Sequence, residues 1–262
     1  MAVIAIRKNA GAKSGKARQR NRPLTLAQQA RATLRHVRFA SGERSGPARL
    51  SPSMAAPQRA ALKFWMQRLP EEFRARLPEL NVAVARELNA VRHGVFINER
   101  LPQRYSSGQF THAVSFLPQR YIVLSAGLFR RRVELGRILY HELCHFVWPR
   151  LGNPKRRRFR TVLRRELRER VRGELGYSAE LRKRDLIAKA GSPATPHARR
   201  RAKAEYVCES FCDTGAFVLL GDQRRGRHSE YTLSRSARRK RCDVWNAVTQ
   251  AHTEAASGNK SA

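Results

Sequence analysis

His141 and His145 stand four residues apart in the string H-E-L-C-H at 141–145. On a helix, residues i and i+4 share a face one turn apart. The two imidazoles can then offer nitrogens to one metal ion. Glu142 is displaced from them by about a third of a turn. Its carboxylate falls beside such an ion instead of on it, where it can take a proton from a water. A shuffled chain with 8 His and 16 Glu in 262 residues gives H-E-x-x-H roughly 0.015 times, so the signal is strong.

A catalytic zinc site takes three protein ligands and keeps a fourth position open. The candidate for the third is E-S-F-C-D at 209–213, where Glu209 and Asp213 again fall on one helical face. Glu209 can complete a His₂Glu set. Asp213, one turn on, can accept a hydrogen bond from a ligand imidazole's other nitrogen and so fix its tautomer and orientation. Composition alone produces an E-x-x-x-D about one time in four, so this pair gains weight only beside the first motif. The segment around it, C-E-S-F-C-D-T-G-A-F-V-L-L, is apolar, and an unpartnered carboxylate there is costly. The four cysteines, Cys144, Cys208, Cys212 and Cys242, include no C-x-x-C pair and read as reduced packing residues.

For the two motifs to meet, both must be helices held by other elements. In 130–147, Val133, Leu135, Ile138, Leu139, Leu143, Phe146 and Val147 recur at helical spacing, and Pro149 stops the run. Ahead of it, 95–98, 111–116 and 121–129 are short β-branched or aromatic runs divided by turn residues, and read as strands of one small sheet. After Pro149 the pattern predicts helices over 158–174, from an N-cap at Ser178 to about 190, over 197–220 and over 236–255, with 191–196 a loop. Val162, Leu163, Leu167 and Val171 form the apolar stripe of the first of these. Residues 1–23 lack periodicity, 24–39 have helical spacing, and 41–57 have linker composition. The division expected is a basic, largely disordered arm at 1–56, one folded domain at 57–256 and a disordered tail at 257–262. The fold class is α+β: a small sheet, an active-site helix, and a mostly helical C-terminal half.

The pair H141-E-x-x-H145 with E209-x-x-x-D213 resembles the gluzincin pattern of zincin metallopeptidases. The resemblance implies a zincin-like fold and a Zn²⁺ held by His141, His145 and Glu209. It makes Glu142 the general base and Asp213 the partner of a ligand imidazole. His145 and Glu209 are 64 positions apart, room for a charged helical insertion. The string G-R-I-L-Y-H-E-L-C-H-F also resembles the SprT-like zincins, some of which act on proteins at DNA. That likeness implies a third His downstream, for which His197 is the first available residue. Glu209 is the preferred third ligand and His197 the alternative. In the chemistry implied, zinc lowers the pKa of water to about 7 and Glu142 moves the proton to the leaving amine of a peptide. A second donor to the developing oxyanion is drawn from Tyr177, Tyr206, His228 and Tyr231, with His228 and Tyr231 preferred. The expected partner is a protein or peptide substrate.

Lys+Arg is 54 against Asp+Glu 20, a formal net charge of +34. That excludes an acidic, solvating protein. No apolar run approaches the roughly 20 residues that a bilayer requires. Residues 1–60 carry 13 Lys+Arg and one acid, Glu43; residues 150–204 carry 19 Lys+Arg and five acids. Such a field attracts phosphate backbones, so nucleic acid, met by the basic arm and the Arg-rich helices, is the alternative partner. The first residues match no secretory signal, and the expected localisation is cytoplasmic. A basic nucleic-acid-binding protein with a non-catalytic metal site is the alternative function.

Overall fold

A computed structural model describes residues 43–91, 94–97, 109–191, 193–221 and 228–250. Residues 1–42 of the expected arm (1–56), with the expected helix over 24–39, and the tail at 257–262 lie outside them. Within them the fold is α+β.

The first strands are β1 (Arg44–Ser45) and β2 (Ala48–Leu50), followed by helix α1 (Ala56–Met66) and the short α2 (Glu71–Arg74). Next come β3 (Leu80–Ala85), β4 (Leu88–Val91), β5 (Gly94–Ile97), β6 (Gln109–Phe110), β7 (Ala113–Phe116) and β8 (Tyr121–Ser125). A five-stranded mixed sheet runs β1-β2-β3-β8-β7. Its centre, β2, β3 and β8, is parallel, with Val82 opposite Ile122 and Ala83 opposite Val123. β7 closes one edge antiparallel to β8.

Three expectations are corrected here. The 41–57 stretch is not linker: Gly46, at φ +58°, and Pro47 turn β1 into β2, so the sheet begins by Arg44 and not near Pro57. The strand run 95–98 is not in the main sheet; Gly94–Ile97 pairs with β4 in a separate sheet of order β5-β4-β6. Both edges of β3 are already taken by β2 and β8, so the chain leaving β3 has no edge to join and starts a second sheet. Finally, β8 ends at Ser125 and the rest of the 121–129 run is a 3₁₀ turn, Ala126–Arg130. β3 and β4 carried no expectation, because Asn81, Ala83 and Ala85 are weak strand formers. β3 forms because both its faces are covered. Leu80 and Val82 join the main core with Ile122 and Leu124; Ala85 joins Val114, Phe116 and Val123 on the other face.

Helix α3 (Arg132–Val147) is buried from Leu135 onward, and Pro149 lies in the 3₁₀ turn that follows it. α1 is fastened across it: Trp65 Nε1 donates to the Arg132 carbonyl at 3.1 Å, and Tyr140 Oη donates to the Trp65 carbonyl at 2.9 Å. A Cβ on Gly136 would come within 2.6 Å of the Trp65 ring, so only glycine admits this approach.

α4 is Asn153–Arg168, displaced from the expected 158–174. Pro154 starts it early, and Arg170 (φ +53°) and Gly173 (φ +78°) turn the chain after it. Val171 therefore leaves the stripe and packs near Leu175, Phe217 and Leu233. α5 is Tyr177–Ala190 with Gly176, not Ser178, as N-cap. α6 is Pro196–Leu220, capped by Thr195 Oγ1, which accepts from Ala198 N at 3.2 Å. α7 is Arg235–Thr249. α3 and α6 pack closely where a Cβ on Gly215 would lie 2.4 Å from Cys144 Sγ. α4 and α7 are tied beneath by Arg241, fully buried, whose guanidinium binds Glu166 at 2.8 Å and Glu174 at 3.0 Å. Among the described residues no helix is long and apolar enough to cross a membrane.

Candidate metal centre

α3 and α6 bring the two sequence motifs face to face. His141 and His145, one turn apart on α3, point their Nε2 atoms together at 3.0 Å. Glu209, on α6, sets its Oε2 3.3 Å from His141 Nε2 and 3.8 Å from His145 Nε2. All three side chains are buried. Donors at 2.0–2.2 Å from a tetrahedral ion stand about 3.4 Å apart, so this triangle has the size of such a site. Glu209 Oε2 has no hydrogen-bond partner, which in a protein interior calls for a cation or a donor.

A second donor set overlaps the first. His141, His145 and Cys212 are a buried group whose ligand atoms lie within 4.8 Å of one another, and they could hold a metal ion. The two sets share both histidines and differ in the third donor. Cys212 Sγ is 3.3 Å from His145 Nδ1, the side of the ring away from His141, whereas Glu209 stands on the Nε2 side. The carboxylate set brings its three atoms within 3.0–3.8 Å of one another.

His141 is fixed from behind. Its Nδ1 lies 2.7 Å from Asp213 Oδ1, and Asp213 Oδ2 accepts from Ala179 N at 2.9 Å. Asp213 thus links the ring to the unsatisfied N–H groups at the start of α5. Glu230 supports the same terminus, accepting from Tyr177 N at 2.9 Å, and is held by buried Arg137, 2.9 Å away on α3. Glu142 is also buried and faces the sheet: Ser115 Oγ on β7 donates to its Oε2 at 2.5 Å, and its Oε1 has no hydrogen-bond partner.

The electrostatics favour positive charge at this point. Burial opposes a charged His141 ring, but Asp213 and Glu209 outweigh it and lift its pKa to about 10. Burial likewise opposes charge on His145, and Glu209 raises it nonetheless. Burial would push Glu209 up, yet the two imidazoles bring it down to about 2. A bound cation would take over the charge those ring protons supply.

His197 sits exposed in the first turn of α6, 12 residues before Glu209 and so about 18 Å back along the helix. It is not the third donor of this cluster. His228 Nε2 lies 3.3 Å from Glu134 Oε2, and Tyr231 packs edge-on against Phe217 with ring centres 5.0 Å apart. Glu134 is seven residues before His141, about 10 Å along α3. Tyr206 Oη donates to Glu174 at 2.8 Å in the Arg241 cluster, and the Tyr177 side chain is exposed.

Sequence reasoning missed Ser115, Gly176 and the Arg137–Glu230 brace, which carry no motif of their own. It read Cys208 and Cys212 as packing only, although both thiols face His145 Nδ1, at 3.6 and 3.3 Å. Comparison with known proteins finds no match: no protein-family model, no curated protein and no solved structure corresponds to the chain.

Proposed function

We propose that the chain is a zinc-dependent metallopeptidase of zincin-like fold. The observation that carries the reading is the convergence of His141 Nε2, His145 Nε2 and Glu209 Oε2 within 3.0–3.8 Å, beside a buried glutamate with one oxygen unpartnered. His141, His145 and Glu209 would hold the ion. When bound, zinc supplies Lewis acidity, making water acidic near pH 7 and polarising a carbonyl. Ser115 holds Glu142 Oε2, which leaves Oε1 to accept a proton from water and pass it to a leaving amine. Asp213 keeps the His141 ring in the tautomer that presents Nε2. β7, at the sheet edge and carrying Ser115, could pair with an extended peptide. The four free cysteines suit a cytoplasmic setting, which is part of the same proposal.

The test is metal content together with hydrolysis of an unfolded protein. Purified protein should carry close to one zinc and cleave the substrate. Glu142→Gln should keep the metal and lose cleavage; undiminished cleavage by that variant refutes the assignment.

The exposed face of α4 favours a nucleic-acid partner. Arg157, Arg160, Arg164 and Arg168 recur every three or four residues on it, while Phe159 and Leu163 turn inward. Duplex DNA should bind at low salt and release steeply as salt rises. No binding at low salt, or binding indifferent to salt, counts against this partner.

A further inference from the structure

His145 is approached from both sides. Its Nε2 faces His141 and Glu209, and its Nδ1 faces two sulfurs, Cys212 Sγ at 3.3 Å and Cys208 Sγ at 3.6 Å. An imidazole that needs only orienting takes one acceptor, as His141 takes Asp213. Here two thiols, one turn apart on α6, converge on one nitrogen.

We propose that Cys208, Cys212 and His145 Nδ1 form a second, sulfur-rich seat for a thiophilic cation of the Zn²⁺ or Cd²⁺ type. Donors around a tetrahedral ion, with sulfur at about 2.3 Å and nitrogen at about 2.0 Å, stand about 3.6 Å apart. The two sulfur-to-nitrogen separations, 3.3 and 3.6 Å, are close to that spacing. Two thiolates and an imidazole are a soft donor set, unlike the carboxylate-bearing seat on the other side of the ring. Access comes from Cys208, which is only half-buried, while Cys212 and His145 are enclosed. Binding replaces the two thiol protons and the Nδ1 proton, which pass to solvent. With both seats filled, His145 would have to release both ring protons to solvent. The seat does not depend on the chain being a peptidase, since it uses atoms the proposed hydrolysis leaves idle.

Cadmium titration of the full chain tests it, read by the ultraviolet thiolate-to-cadmium absorption and by bound Cd²⁺ per chain. The wild type should show the band. Glu209→Gln, which damages the first seat, should retain it. Cys208→Ser with Cys212→Ser should lose the band and one equivalent of Cd²⁺. If the double variant does not fold by circular dichroism, Cys208→Ser alone, at the half-buried position, should show a weakened band and weaker Cd²⁺ binding. No band in the wild type overturns the proposal. So does a band lost in Glu209→Gln, which assigns the sulfur to a single shared centre. A band of undiminished strength in the cysteine variants also overturns it, since the signal then belongs to Cys144 or Cys242.

Discussion

Replacing Gly176 with alanine tests whether the start of α5 aims the His141 ring. Gly176 has an extended backbone (φ −178°) that any residue adopts, so the substitution carries no backbone penalty. The cost is collision: the new Cβ would stand 2.4 Å from Asp213 Cγ and 2.5 Å from each carboxylate oxygen. Ordinary contact is about 3.5 Å or more, so the carboxylate must retreat by about 1 Å. It is tied on both oxygens, at 2.7 Å to His141 Nδ1 and at 2.9 Å to Ala179 N. A retreat of that size breaks one bond or drags the imidazole with it. Overpacking costs about 1–3 kcal/mol of stability. Loss of the group that orients a metal ligand weakens metal binding about 10–100-fold. Thermal unfolding of metal-free protein measures the first effect, and competition with a zinc chelator the second. Gly191→Ala, at the other end of α5, is the control: the nearest atom to its Cβ is 4.0 Å away, and both quantities should stay near wild type. If Gly176→Ala unfolds earlier yet binds zinc within twofold of wild type, the link from α5 through Asp213 to His141 is refuted.

Other expected outcomes follow from the same geometry. Glu142→Gln should lower kcat about 10²–10⁴-fold with zinc content unchanged, as measured by single-turnover cleavage and metal analysis. Ser115→Ala removes the 2.5 Å bond to Glu142 Oε2 and should cost cleavage about 10–100-fold, in kcat more than in KM; full activity would detach Ser115 from the site. Arg241→Met leaves Glu166 and Glu174 buried without their shared cation, and chemical denaturation should show a loss of about 3–5 kcal/mol. Burial pushes the Glu174 carboxyl up, but Arg241 and Lys183 overcome this and hold it below its usual 4.5. A depressed folded-state pKa means that its stabilisation is complete above about pH 4.5 and is lost as pH falls further. Acid unfolding should therefore begin below that value, and a Glu174→Gln variant should show a weaker pH dependence there.

The sequence by itself placed the candidate residues. His141, Glu142 and His145 lie on one continuous helix, and Glu209 and Asp213 on another, so their local geometry follows from the helical repeat. Apolar residues near helical spacing made α3 legible, and α6 was legible as a long run, basic at its start and apolar at its end. The elements that failed to show were those whose conformation is set by neighbours. β3 is alanine-rich and is a strand because β2 and β8 occupy its edges. β1 and β2 have the composition of a linker and are strands because Gly46 and Pro47 fold them onto the sheet. The end of α4 came from positive-φ residues at 170 and 173, which no apolar stripe announces.

Tertiary structure alone decided that Glu209, 64 residues beyond His145, closes the triangle while exposed His197 stands about 18 Å of helix away. It decided too that Ser115 holds Glu142, that Gly176 leaves room for Asp213, and that two thiols meet the idle nitrogen of His145. Helical periodicity fixes which side chains share a face, because it acts over a few residues. Which faces meet depends on the packing of apolar surfaces distant in the chain, and one residue's spacing from another does not encode it.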